Sequence, residues 1–273
     1  MRESTKYEHV VAFAIALPSI REKLREHMAL RGLPRQKVLA TVVHLLESTL
    51  IRVGNDDYAK HNNSYGLTTL KNRHVAVDGK RGSLPLHRQR RQAMVVTRAT
   101  GASQRSSRRA RSFRARNSSS MSTKKGNCRD VTSTDVNDYL REITGKDITA
   151  NDFRTWAGTV LAAMALNELE SFDSAAQVKR NLRAAIEEVS AQLGNTPTIC
   201  RKCYVHPEVL NSYMDDNLVL ELKSKAESEL RTAMESLKPE EAAVLALLRS
   251  RLAKEAEDVR KEATRCLIIQ RRC

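Results

Sequence analysis

A chain of 273 residues with 41% hydrophobic content can bury a core, as one large domain or two smaller ones, although 4% aromatic content is low. No run approaches the ~18 apolar residues of a membrane span. The opening Met1-Arg2-Glu3-Ser4-Thr5-Lys6 has no secretory apolar core, so a cytoplasmic protein is expected. The net charge of +15 invites a nucleic-acid partner, but it is localised. From Lys80 to Lys125 there are fourteen Lys and Arg and no acid, which leaves a net charge of +1 for everything else.

In chain order, residues 6–31 read as helical, with Pro18 interrupting the pattern. Pro34 suits a helix start, and Val38, Leu39, Val42, Leu45 and Leu46 then recur at helical spacing. Gly54 ends or bends that element. His74 to Val77, followed by Asp78-Gly79, reads as one strand entering a hairpin turn, whose partner would fall in the irregular segment that follows. Residues 79–126 are rich in Arg, Ser and Gln and have no period, which predicts a disordered basic insert. A structureless loop of that length is unusual in a compact domain. Plausible codons for Ser83–Val95 and Thr97–Gly126, read in shifted phases, give ordinary globular sequence. The segment therefore reads as out of frame, and the same frame returns by Asn127.

Helical signals resume beyond it. Ser133 or Thr134 can cap a helix that Gly145 stops. Thr149 with Asp152 opens a helix carrying Phe153, Trp156, Val160 and Leu161. Ser174 begins another, ending at Leu193-Gly194, and Pro207 opens one that carries Val209, Leu210 and Tyr213. From Leu218 the tail is charged and helix-forming, broken at Pro239, and reads as a solvated helix. Expected divisions are 1–78, the insert 79–126, 127–217, and the helical tail 218–273.

Five cysteines without secretory context predict free thiols. Cys200 and Cys203 form a C-x-x-C with no second ligand pair at suitable spacing, so no metal is expected. No P-loop spacing occurs, so ATP is not implied, and no other cofactor is expected.

Four blocks remain: Leu50-Ile51-Arg52-Val53-Gly54-Asn55-Asp56-Asp57-Tyr58; Gly66 to Val75; Asp152-Phe153-Arg154-Thr155-Trp156-Ala157-Gly158-Thr159; and Leu193 to Pro207, around Cys203-Tyr204-Val205. Each alone has a plain reading. Tyr204 would be a core tyrosine, Arg52 and Arg154 surface or ion-pairing residues, Asn195 a turn residue, and His206 a structural loop histidine. In this order they resemble type IB DNA topoisomerases of the poxvirus and bacterial kind, over roughly 1–78 and 127–217. The resemblance implies a mainly α catalytic domain shared with tyrosine recombinases, carrying a remnant β-hairpin and the basic insert.

It further implies an isomerase that relaxes supercoiled double-stranded DNA through a 3′-phosphotyrosyl intermediate, as a monomer, without ATP or membrane attachment. Tyr204 would be the nucleophile, Arg52 and Arg154 the phosphate clamp, and Asn195 a donor where poxvirus relatives use histidine. Gly54, Tyr58, Lys71, Arg73, Arg201 and Lys202 match positions that touch the DNA backbone. A hairpin lysine that protonates the departing 5′ oxygen in the family has no counterpart here, and neither does the family's β-rich N-terminal clamp. A truncated chain that relaxes DNA feebly or not at all is therefore expected. The alternatives are a catalytically silent DNA-binding remnant and a tyrosine recombinase. Recombinases favour H-x-x-R, and Asn151 stands at that histidine position.

Overall fold

The computed structural model describes residues 2–55, 61, 65–70, 76–78, 81–83, 120–122, 128–169, 172, 174–218, 222 and 237–270. It is mainly helical. Among the described residues the helices are α1 (Arg2–Ala29), α2 (Arg35–Thr49), α3 (Ser133–Thr144), α4 (Ala150–Glu168), α5 (Ala175–Leu193), α6 (Pro197–Cys203), α7 (Pro207–Met214) and α8 (Pro239–Gln270). Two short antiparallel ladders accompany them among the described residues. Strand β1 (Ala76–Asp78) pairs with β2 (Arg81–Ser83), Asp78 opposite Arg81, and β3 (Ser120–Ser122) pairs with β4 (Cys128–Asp130). Most of 79–126, where disorder was expected, lies outside the described residues. No described helix is long and apolar enough to cross a membrane.

The chain divides into two compact units, one of residues 19–154 and the other of 1–18 with 155–273. In the first, α2 buries Leu39, Ala40, Val42, Val43 and Leu46. Val38 and Leu45, expected on that face, stand half-buried at its edge. Helix α3 buries Val136, Tyr139 and Leu140, the i, i+3, i+4 stripe of an amphipathic helix. The His27 ring Nδ1 and the Tyr139 hydroxyl share a hydrogen bond of 2.7 Å, and burial pushes the Tyr139 phenol upward.

In the second unit, α5 presents Val178, Leu182, Ala185, Ile186, Val189 and Leu193 as one buried stripe. Each large aliphatic side chain there contributes about 1.5–3 kcal/mol. Asn181 Nδ2 donates to the Tyr213 hydroxyl at 2.6 Å, joining α5 to α7.

Three expectations change. Helix α1 continues past Pro18, whose missing N–H and ring ordinarily break a helix at a cost of about 3 kcal/mol. Phe13, Ala14 and Leu17 before it, and Ile20 and Leu24 after it, are all at most 2% exposed, and that burial holds the helix together. The N-cap of α3 is Thr132, one residue before the two candidates. Its hydroxyl accepts from Asp135 N at 3.1 Å while Asp135 Oδ2 accepts from Thr132 N at 3.0 Å. Helix α8 is not wholly solvated: Ala243, Val244, Leu245, Ala246, Leu247 and Leu248 are consecutive and buried, the signature of a helix enclosed on every side.

Candidate active site

The first unit carries both arginines. Helix α2 ends at Leu50, whose backbone is left-handed (φ 56°), a conformation costing roughly 1–2 kcal/mol for a residue with a Cβ. The chain then extends through Arg52 and Val53 and pairs with Gly66–Thr68. Leu67 N donates to Arg52 O at 3.0 Å, and Thr68 N and Oγ1 donate to Val53 O at 2.7 and 2.9 Å. The Arg52 side chain is exposed.

Two glycines make this pairing possible. Gly54 has φ +103°, and a Cβ there would lie 2.9 Å from Thr68 Oγ1. A Cβ on Gly66 would lie 2.4 Å from Gly54 Cα and 2.5 Å from Arg52 O, which are backbone atoms that cannot rotate away. Gly54, matched to a DNA-contacting position by resemblance, thus also has a purely conformational reason to be glycine. Gly66→Ala is expected to destabilise the protein by about 1–3 kcal/mol through overpacking, read as a shifted denaturant midpoint.

Arg154 sits in the first turns of α4. That helix starts where Asp152 Oδ2 accepts from Thr149 N at 2.7 Å and from Thr149 Oγ1 at 2.9 Å, with Ala150 N donating to Asn137 Oδ1 at 3.0 Å. Arg154 is 3% exposed, and its Nη1 donates to the Leu50 carbonyl, two residues from Arg52. A buried guanidinium must be held by acceptors, and this carbonyl is one of them. Residues 102 apart in sequence are thereby brought into neighbouring segments of one unit.

The second unit carries the tyrosine. Gly194 (φ 67°) stops α5, and Asn195 follows with its N–H on Ser190 O at 3.0 Å. Thr196 caps α6, accepting from Ile199 N, with Pro197 in the first turn. Tyr204 is the C-cap of α6, half-buried, its N–H on Cys200 O at 2.9 Å. Arg201 and Lys202 are exposed in the last turn of α6, where positive charge suits the helix dipole. Cys200 is buried and Cys203 half-buried, both as thiols. Tyr58, Lys71 and Arg73 lie outside the described residues.

His206 caps α7: it is 1% exposed, and its Nδ1 accepts from Glu208 N at 3.1 Å. Burial lowers its pKa from 6.5 to about 4, so the ring is neutral near pH 7 and serves as a structural acceptor. The folded value lies below the unfolded one, so the unfolded chain binds more protons between them. Stability from this group is complete above pH 6.5 and drains as pH falls towards 4, by up to about 3 kcal/mol. His206→Asn keeps a capping acceptor without the titration. Denaturant melts at pH 7 and pH 4.5 are expected to show a smaller acid loss for that variant.

Sequence reasoning assigned no role to Gly66, Gly158 or Thr159. A glycine in mid-helix was the available signal for Gly158, because it costs about 1 kcal/mol against alanine unless something approaches closely.

The chain matches the family described as eukaryotic DNA topoisomerase I, catalytic core, over residues 1–233, and it belongs to that family. It is also 21% identical over 231 residues to a protein named DNA topoisomerase 1B from Acanthamoeba polyphaga mimivirus. The aligned region takes in 78% of this chain and 66% of that relative.

Proposed function

We propose that the chain relaxes supercoiled duplex DNA by transient cleavage of one strand, as a cytoplasmic monomer without ATP or metal. The Tyr204 phenol gives up its proton to water as its oxygen attacks a backbone phosphorus, the P–O5′ bond breaks, and the departing 5′ oxygen takes a proton from water. The new 3′-phosphotyrosyl ester retains the bond energy, so attack by the same 5′ hydroxyl reverses the step and reseals the strand. Arg52 and Arg154 offset the charge that gathers on the five-coordinate phosphate, because a guanidinium stays ionised and can grip two oxygens. Asn195 donates its amide to a nonbridging oxygen. Gly54, Tyr58, Lys71, Arg73, Arg201 and Lys202 follow the flanking backbone.

Family membership supplies the reaction. The observation that carries its assignment to these residues is the Arg154–Leu50 hydrogen bond, which ties the two arginine-bearing segments together.

The test is a duplex carrying sulfur in place of the bridging 5′ oxygen. A thiol has a pKa near ~8.5, so it departs without the proton that the missing lysine would deliver. A protein–DNA adduct that survives denaturation, formed without ATP or magnesium, is the expected result. Supercoiled plasmid is expected to relax slowly. Salt-sensitive binding with no adduct would instead mark a silent DNA-binding remnant.

A further inference from the structure

Thr159 is completely buried in α4, and its hydroxyl faces the segment that carries Tyr204. His206 N donates to Thr159 Oγ1 at 3.1 Å, Thr159 Oγ1 donates to Thr155 O at 2.8 Å, and Tyr204 O lies 3.5 Å away. A hydroxyl has one proton to give, and the shorter contact takes it, so the firm hold on the tyrosine segment is the bond from His206 N. The preceding residue does the complementary work. A Cβ on Gly158 would lie 2.5 Å from Tyr204 O and 3.2 Å from Tyr204 Cβ, so only glycine lets the Tyr204 backbone rest on the helix. Beneath it, Leu193 Cδ1 would meet the same Cβ at 3.1 Å.

Tyr204 needs such a seat. It follows the last residue of a seven-residue helix, its φ and ψ of −129° and −5° are not helical, and terminal residues of short helices ordinarily fray. We propose that Thr159 and Gly158 are positioning residues that fix the Tyr204 backbone against α4 and so set the reach of its phenol oxygen. The proposal rests on Tyr204 being the nucleophile. Displacing a reacting group by about 1 Å can cost on the order of 10²-fold in rate, so a buried hydroxyl that never meets DNA acquires a kinetic effect.

Single-turnover adduct formation on the bridging-sulfur duplex provides the test, with DNA affinity and thermal stability measured alongside. Thr159→Val keeps the shape and removes the acceptor. It is expected to slow adduct formation roughly 10–100-fold at saturating DNA, with affinity unchanged within about twofold. Thr159→Ser restores the acceptor and is expected to return the rate to within about threefold of the parent, whatever its effect on stability. Gly158→Ala, whose Cβ would press on the Tyr204 backbone carbonyl, is expected to lower both the rate and the melting temperature, so the Thr159 pair carries the separation of positioning from stability.

Equal rates for the valine, serine and parent proteins overturn the positioning role and leave the nucleophile intact. So do valine and serine rates that follow stability alone. A parent protein that forms no adduct, or a Tyr204→Phe protein that still forms one, overturns the reading beneath it and the positioning role with it.

Discussion

Replacing Tyr204 with phenylalanine is expected to abolish the covalent DNA adduct, a fall of more than about 10³-fold, while the protein keeps its fold and its DNA affinity. The separation of effects follows from how the residue is held. Its N–H bonds Cys200 O, and its carbonyl and Cβ rest against Gly158; phenylalanine preserves all of these. Only the hydroxyl is lost, from a half-buried side chain, so the change in stability should stay within about 1.5 kcal/mol. Denaturing gels of labelled DNA report the adduct, and filter binding at fixed salt reports affinity. Loss of binding together with loss of adduct would indicate a structural tyrosine. An undiminished adduct would move the nucleophile elsewhere.

The parts of the fold that were legible in advance are those governed by neighbours in sequence. The stops at Gly145 and Gly194, the caps at Ser174 and Thr149, and the opening of α7 at Pro207 are each decided within four residues, where side-chain and backbone rules apply directly. Thr132 was missed because three hydroxyl residues stand in a row. Asp135 chooses among them, since its carboxylate returns to the residue three before it. Helix α1 through Pro18 and the enclosed start of α8 were not legible, because distant packing outweighs the local penalty at the first and the local charge at the second.

The candidate site divides in the same way. Tyr204, Arg52 and Arg154 stood out only as a pattern of separated blocks, since none of the three is unusual alone. The need for Gly66 depends on Gly54 Cα and Arg52 O lying against it, and the role of Thr159 on His206 N, so neither could be read from a stretch of chain.

Arg154→Ala is expected to slow adduct formation by about 10²–10³-fold, the usual loss when one fixed donor to a developing charge is removed. A stability cost accompanies it. Arg154 is buried and donates to Leu50 O, so the alanine leaves a cavity and takes a donor from that carbonyl. Arg52 is exposed, and Arg52→Ala should cost rate with little stability, which makes the pair informative. Two cations serving one phosphate act as a unit, and residues that act as a unit are far from additive. The double variant should therefore be slowed by much less than the product of the two single effects. If the effects multiply, the arginines act independently, and the Arg154–Leu50 bond only fastens two segments together. Arg154→Lys separates charge from geometry. It keeps the cation but loses the planar fork, and recovery of no more than a small part of the rate is expected, because a lysine ammonium cannot grip two phosphate oxygens in the plane of a guanidinium. Full recovery by lysine would mean that charge alone suffices at this position.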